Sequence, residues 1–177
     1  TPFDEKVRVD EQMMRQLVDF HITAGVQGLF VLGSTGQGPA MTTEERKQTA
    51  AIALDQAKKR VPVVIHVGTA DAGSAVELAE HAAANGADAV AIVPPYYYSD
   101  HTEFEIMAHY KAVHKAVALP IYIYENPKYS GISIPPGFAV RMKEQVPALK
   151  GIKVAYGQGA LLEYARLLPD VSVFTGN

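Results

Sequence analysis

The stretch GADAVAI, residues 86–92, decides how this chain folds. A glycine able to end a helix runs straight into a short apolar segment that starts on a small residue. The stretch GVQGLFV, residues 25–31, repeats the pattern. Repeated helix-to-strand joints of this kind fit a (β/α) barrel better than a doubly wound sheet.

Working outward, six strand-length apolar runs appear, at 28–33, 62–67, 89–93, 120–124, 149–154 and 171–174. Most are apolar at successive positions, which is the pattern of parallel strands buried on both faces. Helical stretches alternate with them. Asp10 can cap a helix to residue 24, with Met13, Leu17 and Phe20 on one face and Gly25 just past its end. Thr42 and Glu45 form a capping box that opens a helix to about residue 59. Asp71 or Ser74 opens another, with Val76, Ala79 and Ala83 inward and Gly86 at its end. Further helices are predicted at 102–117, 135–145 and 158–168, the second of them starting on Pro135 and Pro136, where a missing amide proton costs little. The fold class is therefore α/β, a (β/α)8 TIM barrel. A complete barrel needs eight strands. The six here are expected to be strands 2 to 7, with the first and last units missing and one truncated domain over 1–177.

The chain has 177 residues, 48% of them hydrophobic and 20% charged, with net charge −3. No basic stripe points to nucleic acid or an anionic membrane surface. The sequence has no cysteine, which excludes disulfides and thiolate chemistry. No stretch reads as a signal peptide or a membrane span, and a cytoplasmic protein is expected.

Four stretches can carry chemistry. Gly33-Ser34-Thr35-Gly36-Gln37-Gly38 follows a strand, at the end where α/β sites form. Its glycines admit close backbone approach, and its amides and hydroxyls suit a carboxylate; the same residues also suit a plain tight turn. Its glycine spacing matches neither a Walker loop nor a dinucleotide fingerprint. Pro94-Pro95-Tyr96-Tyr97-Tyr98 offers phenols for a ligand or flat area for a subunit interface. In Ile121-Tyr122-Ile123-Tyr124, alternation puts both tyrosines on the inner face, and Tyr124 at the strand end is either a core residue or a proton donor. In Gly151-Ile152-Lys153-Val154, Ile152 and Val154 share the helix-facing side, so Lys153 points into the barrel. An amine there either snorkels to water or, held neutral by burial, attacks carbonyls. His21, His81, His109 and His114 fall on helices without metal-ligand spacing, and His66 reads as a core residue. No metal site is expected.

Together, Gly-Ser-Thr-Gly, Pro-Tyr-Tyr, Tyr-x-Asn-Pro-x-x-Ser-Gly and Gly-Ile-Lys, in that order, resemble the dihydrodipicolinate synthase and N-acetylneuraminate lyase family of pyruvate-type class I aldolases. The resemblance implies a (β/α)8 barrel, usually a homotetramer, without metal or organic cofactor. It implies a Schiff base between Lys153 and a 2-oxo acid, typically pyruvate, with an aldehyde or sugar acid as second substrate. Tyr124 matches the proton shuttle, Ser34 the relaying hydroxyl and Thr35 the carboxylate holder. Gly36 lies in the carboxylate loop, and Gly176 matches a glycine near the lysine strand. Tyr97 matches a phenol that reaches into a neighbouring subunit. Two positions depart from the pattern. Tyr129 stands where the synthase branch has an arginine, and Gln37 where a glutamate is usual. A phenol cannot replace a bidentate guanidinium. The expectation is therefore a lyase or aldolase, ahead of dihydrodipicolinate synthesis proper or a non-catalytic 2-oxo-acid-binding relative.

Overall fold

The computed structural model of the protein describes residues 1–155 and 158–176. Six parallel strands form one sheet in chain order: β1 (Leu29–Val31), β2 (Val63–His66), β3 (Ala89–Ile92), β4 (Ile121–Glu125), β5 (Leu149–Val154) and β6 (Ser172–Thr175). Each predicted run overlaps one of them. Helices α1 (Glu11–Thr23), α2 (Thr43–Ala57), α3 (Ala72–Ala84), α4 (Glu103–Ala116), α6 (Pro136–Gln145) and α7 (Leu161–Leu167) lie where the sequence predicts them. A single turn, α5 (Pro127–Ser130), is an addition to the predicted elements. The result is a curled half-barrel with its helices on the outside.

Local chemistry sets the helix ends. The Asp10 carboxylate accepts the Met13 amide at 2.9 Å. Thr42 and Glu45 form the predicted capping box, and Thr102 and Glu105 form a second one. Each such cap contributes about 1 kcal/mol.

The main core lies between the sheet and the helices. Val31, Val63, Ile65, Val90, Ile92, Ile121, Ile123, Ile152 and Val154 project into it from the strands. One predicted face is turned. Met13, Leu17 and Phe20 share a side of α1, but that side is exposed, while Met14 and Val18 are buried. The two stripes are neighbours around the helix, and packing of α1 against α2 selects the second.

Strand register carries the main consequence for function. Ile121 pairs with Leu149, but Tyr122 pairs with Gly151, so Lys150 is an extra residue in β5. This bulge restores the alternation needed to place Lys153 directly beside Tyr124 on the inner face. Without it, Lys153 would pair with Glu125 and face the helices. Gly151 accommodates the bulge, because a Cβ there would come within 2.8 Å of the Tyr122 ring.

Candidate active site

A cavity of about 490 Å³ opens at the C-terminal ends of the strands. Its lining includes Ser34, Thr35, Gln37, Tyr124, Asn126, Tyr129 and Gly176. Behind it lies a small second cluster on the inner face, formed by Val93, Tyr124 and Ala155 with Phe30 and Tyr96 against it.

The loop after β1 begins under strain. Leu32 has φ 66°, in the left-handed region that costs a non-glycine residue of order 1–3 kcal/mol. Two contacts hold it there. His66 Nδ1 donates to the Leu32 carbonyl at 3.0 Å. Gly38 packs so tightly that a Cβ would fall 1.9 Å from the same oxygen. The loop then folds back, with the Gln37 amide donating to the Ser34 carbonyl and the Gly38 amide to that of Gly33. The amides of Ser34, Thr35 and Gly36 have no acceptor among the described residues. Unpaired amides beside two hydroxyls suit an anion.

Within this loop the predicted residues divide. Ser34 is half-buried and Thr35 exposed, and both line the cavity. Gly36 is not among the lining residues. Its carbonyl accepts from Thr1 Oγ1, and a Cβ there would stand 3.1 Å from the Leu32 nitrogen. Close packing of the turn accounts for that glycine.

Lys153 occupies the inner face of β5. Its Nζ lies 4.0 Å from the centre of the Phe30 ring and 4.4 Å from that of Tyr124. Ring faces attract a cation, so the two aromatics hold the amine in place. Among the described residues, no carboxylate pairs with it. The lysine does not itself line the cavity, but it touches two residues that do. Gly176 is one: a Cβ there would sit 3.2 Å from Lys153 Cε. Glycine at 176 thus leaves room for the lysine stem.

Tyr124, 5% exposed, brings its phenol to 3.2 Å from Ser34 Oγ. Asn126 joins the pair, its Nδ2 donating to Tyr124 Oη at 3.0 Å and to Ser34 Oγ at 3.2 Å. The sequence motifs alone give Asn126 no role. Its one signal is the alternation itself, since a residue two past Tyr124 continues the inner face.

Two buried groups support the inner side. His66 stacks near Phe30 and edge-on to Tyr124. Burial first, and then the positive charge of Arg46, pushes its pKa down to about 3, so the ring is neutral. Its Nε2 has no partner among the described residues, so the predicted core histidine is only half satisfied. Arg46 reaches in from α2 and donates to the carbonyls of His66 and Gly68 at 2.8 and 3.0 Å. Burial lowers its pKa to about 10, which leaves it charged at neutral pH.

One predicted site residue lies elsewhere. Tyr97 does not line this cavity; it is 85% exposed, with φ 89°, and packs edge-on against Tyr98. Lys128 and Tyr129 lie in the turn α5, from which only Tyr129 lines the cavity. No group of three metal-ligating side chains occurs among the described residues. No described helix is long and apolar enough to cross a membrane.

Comparison with known proteins bears on the whole chain. The Dihydrodipicolinate synthetase family profile matches residues 1–177. The 4-hydroxy-tetrahydrodipicolinate synthase of Bartonella quintana is 39% identical over 134 residues, covering 76% of this chain and 45% of the relative. Among solved structures, YagE of E. coli K12, a dihydrodipicolinic acid synthase family protein in complex with pyruvate, superposes with TM-score 0.94 at 31% identity. CdNal of Clostridium difficile, in complex with mannosamine, superposes with TM-score 0.93 at 27% identity. Each alignment covers 98% of this chain and 60% of the solved chain. The chain thus spans about half to three-fifths of the length of these relatives.

Proposed function

Because the chain belongs to the dihydrodipicolinate synthetase family, we propose that it carries the Schiff-base centre of a class I aldolase or lyase acting on pyruvate or a related 2-oxo acid. The observation that carries this reading is the placement of Lys153. A bulge sets its amine beside Tyr124 on the inner face, and Tyr124 in turn bonds Ser34 of the loop after β1.

In the proposed reaction the 2-oxo acid places its carboxylate on the Ser34 and Thr35 amides and the Thr35 hydroxyl. Orientation by fixed donors is the main task of such a rigid loop. Lys153 Nζ attacks the C2 carbonyl, a C–N bond forms, and the carbonyl oxygen leaves as water. Tyr124 gives its proton to that departing oxygen, and the resulting phenolate then takes a C3 proton from the protonated imine, giving an enamine. The enamine carbon attacks an aldehyde, a C–C bond forms, and Tyr124, with Ser34 as relay, returns a proton to the new alkoxide. Water releases the product from Lys153. The reverse sequence cleaves the C–C bond. Pyruvate in complex with YagE, a relative of 31% identity, supports the choice of first substrate.

Tyr97 is assigned the role that its resemblance implies, reaching a neighbouring subunit's site. Its exposure and its left-handed backbone support a duty outside its own cavity. The second substrate is an aldehyde without a second carboxylate to be gripped, since Tyr129 presents a phenol where the synthase branch has an arginine. The name carried by the Bartonella quintana relative favours dihydrodipicolinate synthesis as a second reading.

Borohydride reduction in the presence of pyruvate tests the proposal. The expected result is a covalent adduct on the peptide containing Lys153, absent in Lys153→Ala. A folded protein that gives no adduct refutes it. Pyruvate release from 2-keto-3-deoxy sugar acids and neuraminate, compared with pyruvate consumption with aspartate semialdehyde, separates the lyase from the synthase reading.

A further inference from the structure

Asn126 is 1% exposed, yet it stands in the wall of the cavity. Its backbone is pinned from both sides. The carbonyl accepts the amides of Tyr129 and Ser130 and the Ser130 hydroxyl, at 3.0 to 3.1 Å. Pro127 follows it and narrows its conformations further. The amide group is therefore delivered to one place. There Nδ2 meets Tyr124 Oη at 3.0 Å and Ser34 Oγ at 3.2 Å, while those two oxygens are 3.2 Å apart.

The proton count in this triangle is constrained. An amide NH2 has two protons and points one at each oxygen. Neither hydroxyl then donates to Asn126. One hydroxyl proton is used in the bond between Ser34 and Tyr124. The other is left over and, among the described residues, has no acceptor, so it is free to point to the cavity. When Tyr124 gives up its proton, the Asn126 donor stays on Oη and stabilises the charge that develops there. Meanwhile Oδ1 is buried without a partner among the described residues. An apolar side chain of the same shape would avoid that desolvation cost.

We infer that Asn126 is a positioning residue for proton transfer: by donating to both oxygens it leaves one hydroxyl proton of the Ser34–Tyr124 pair to face the bound 2-oxo acid. This assignment rests on the Lys153 reading above.

The test uses pyruvate alone and needs no knowledge of the aldehyde. In D2O, proton NMR follows deuterium entering the pyruvate methyl group, which reports proton transfer at C3. Borohydride trapping follows Schiff-base formation separately. Asn126→Leu keeps the shape and removes the amide. Asn126→Asp keeps the shape and replaces both donor protons with acceptors. Both variants are expected to form the Lys153 adduct like wild type, and both to exchange the methyl protons about 10- to 100-fold more slowly. Wild-type exchange in Asn126→Leu, with the adduct present, overturns the assignment. Wild-type exchange in Asn126→Asp also overturns it, because an acceptor would then suffice, and this arm decides even where Asn126→Leu does not fold. Absence of an adduct in the wild-type protein instead removes the Lys153 reading, and this assignment with it.

Discussion

The two faces of strands β4 and β5 have opposite duties. On the helix side, Ile121, Ile123, Ile152 and Val154 are between 0% and 2% exposed and sit in the apolar core. On the inner side, Tyr122, Tyr124, Gly151 and Lys153 alternate with them along the same backbone. The outer set makes the sheet stick to its helices. The inner set places an amine over two rings and a phenol against a serine and an asparagine. A strand thus divides stability and chemistry at every second residue, and substitutions on the two faces should fail in different ways.

The sharpest break of this contrast is Lys153→Ala. Turnover is expected to fall roughly 10³-fold or more, to background, since the variant loses the amine proposed to form the imine. Thermal unfolding should change little by comparison. A variant that keeps the borohydride adduct would break the comparison at its strongest point. Tyr124→Phe comes next. It preserves the ring under Lys153 and removes only the hydroxyl, so the adduct should persist while kcat falls about 10²- to 10⁴-fold.

On the other face, Ile123→Ala should reverse the pattern. Loss of a fully buried side chain costs about 2–5 kcal/mol, read as a lower urea midpoint. Pyruvate adduct formation per folded molecule should stay at the wild-type level.

The remaining effects depend on pH and concern two buried titratable groups, one on each face. On the inner face, the unfolded imidazole of His66 takes a proton below pH 6.5, while the folded one waits until about 3. The unfolded chain therefore binds the extra proton in that window, and stability falls as pH falls, by at most about 1.4 kcal/mol per pH unit. Glu125 faces the helices, where Ser133 Oγ and the Ile134 amide bond it at 2.6 and 2.9 Å. Burial outweighs these bonds and raises its pKa above 4.5. Here the folded state holds the proton longer, so its contribution is full below pH 4.5 and is lost as pH rises through the folded value. Urea titrations across pH 3–7 should show a flatter acid limb in His66→Leu. Glu125→Gln should remove the opposing slope. Equal slopes in all three proteins would erase the distinction.

Much of this division is legible in the order of residues alone. Period-two alternation places Tyr124 and Lys153 inward, and Ile152 and Val154 outward, because a strand offers only two directions. Caps at Asp10 and Thr42 locate helix starts, because a side chain three residues from an orphan amide has few other uses. The outward face of α1 is not legible in this way. Met13, Leu17 and Phe20 form as good an apolar stripe as Met14 and Val18, and only contact with α2 distinguishes them. Nor is Gly36 legible as a packing residue, because the Leu32 backbone that it meets lies four residues away along a turn whose shape no local pattern specifies.

By itself, the sequence determined the order of strands and helices, the inward phase of each strand and the residue types of the site. These depend on local geometry, which repeats every two or 3.6 residues. The tertiary structure alone decided which inward residues meet. Lys153 stands beside Tyr124 because one extra residue, Lys150, bulges out of β5. Asn126 meets Ser34 across 92 positions of chain because β1 and β4 curl toward a common mouth. Register and curvature arise from contacts between distant segments, and no local period encodes them.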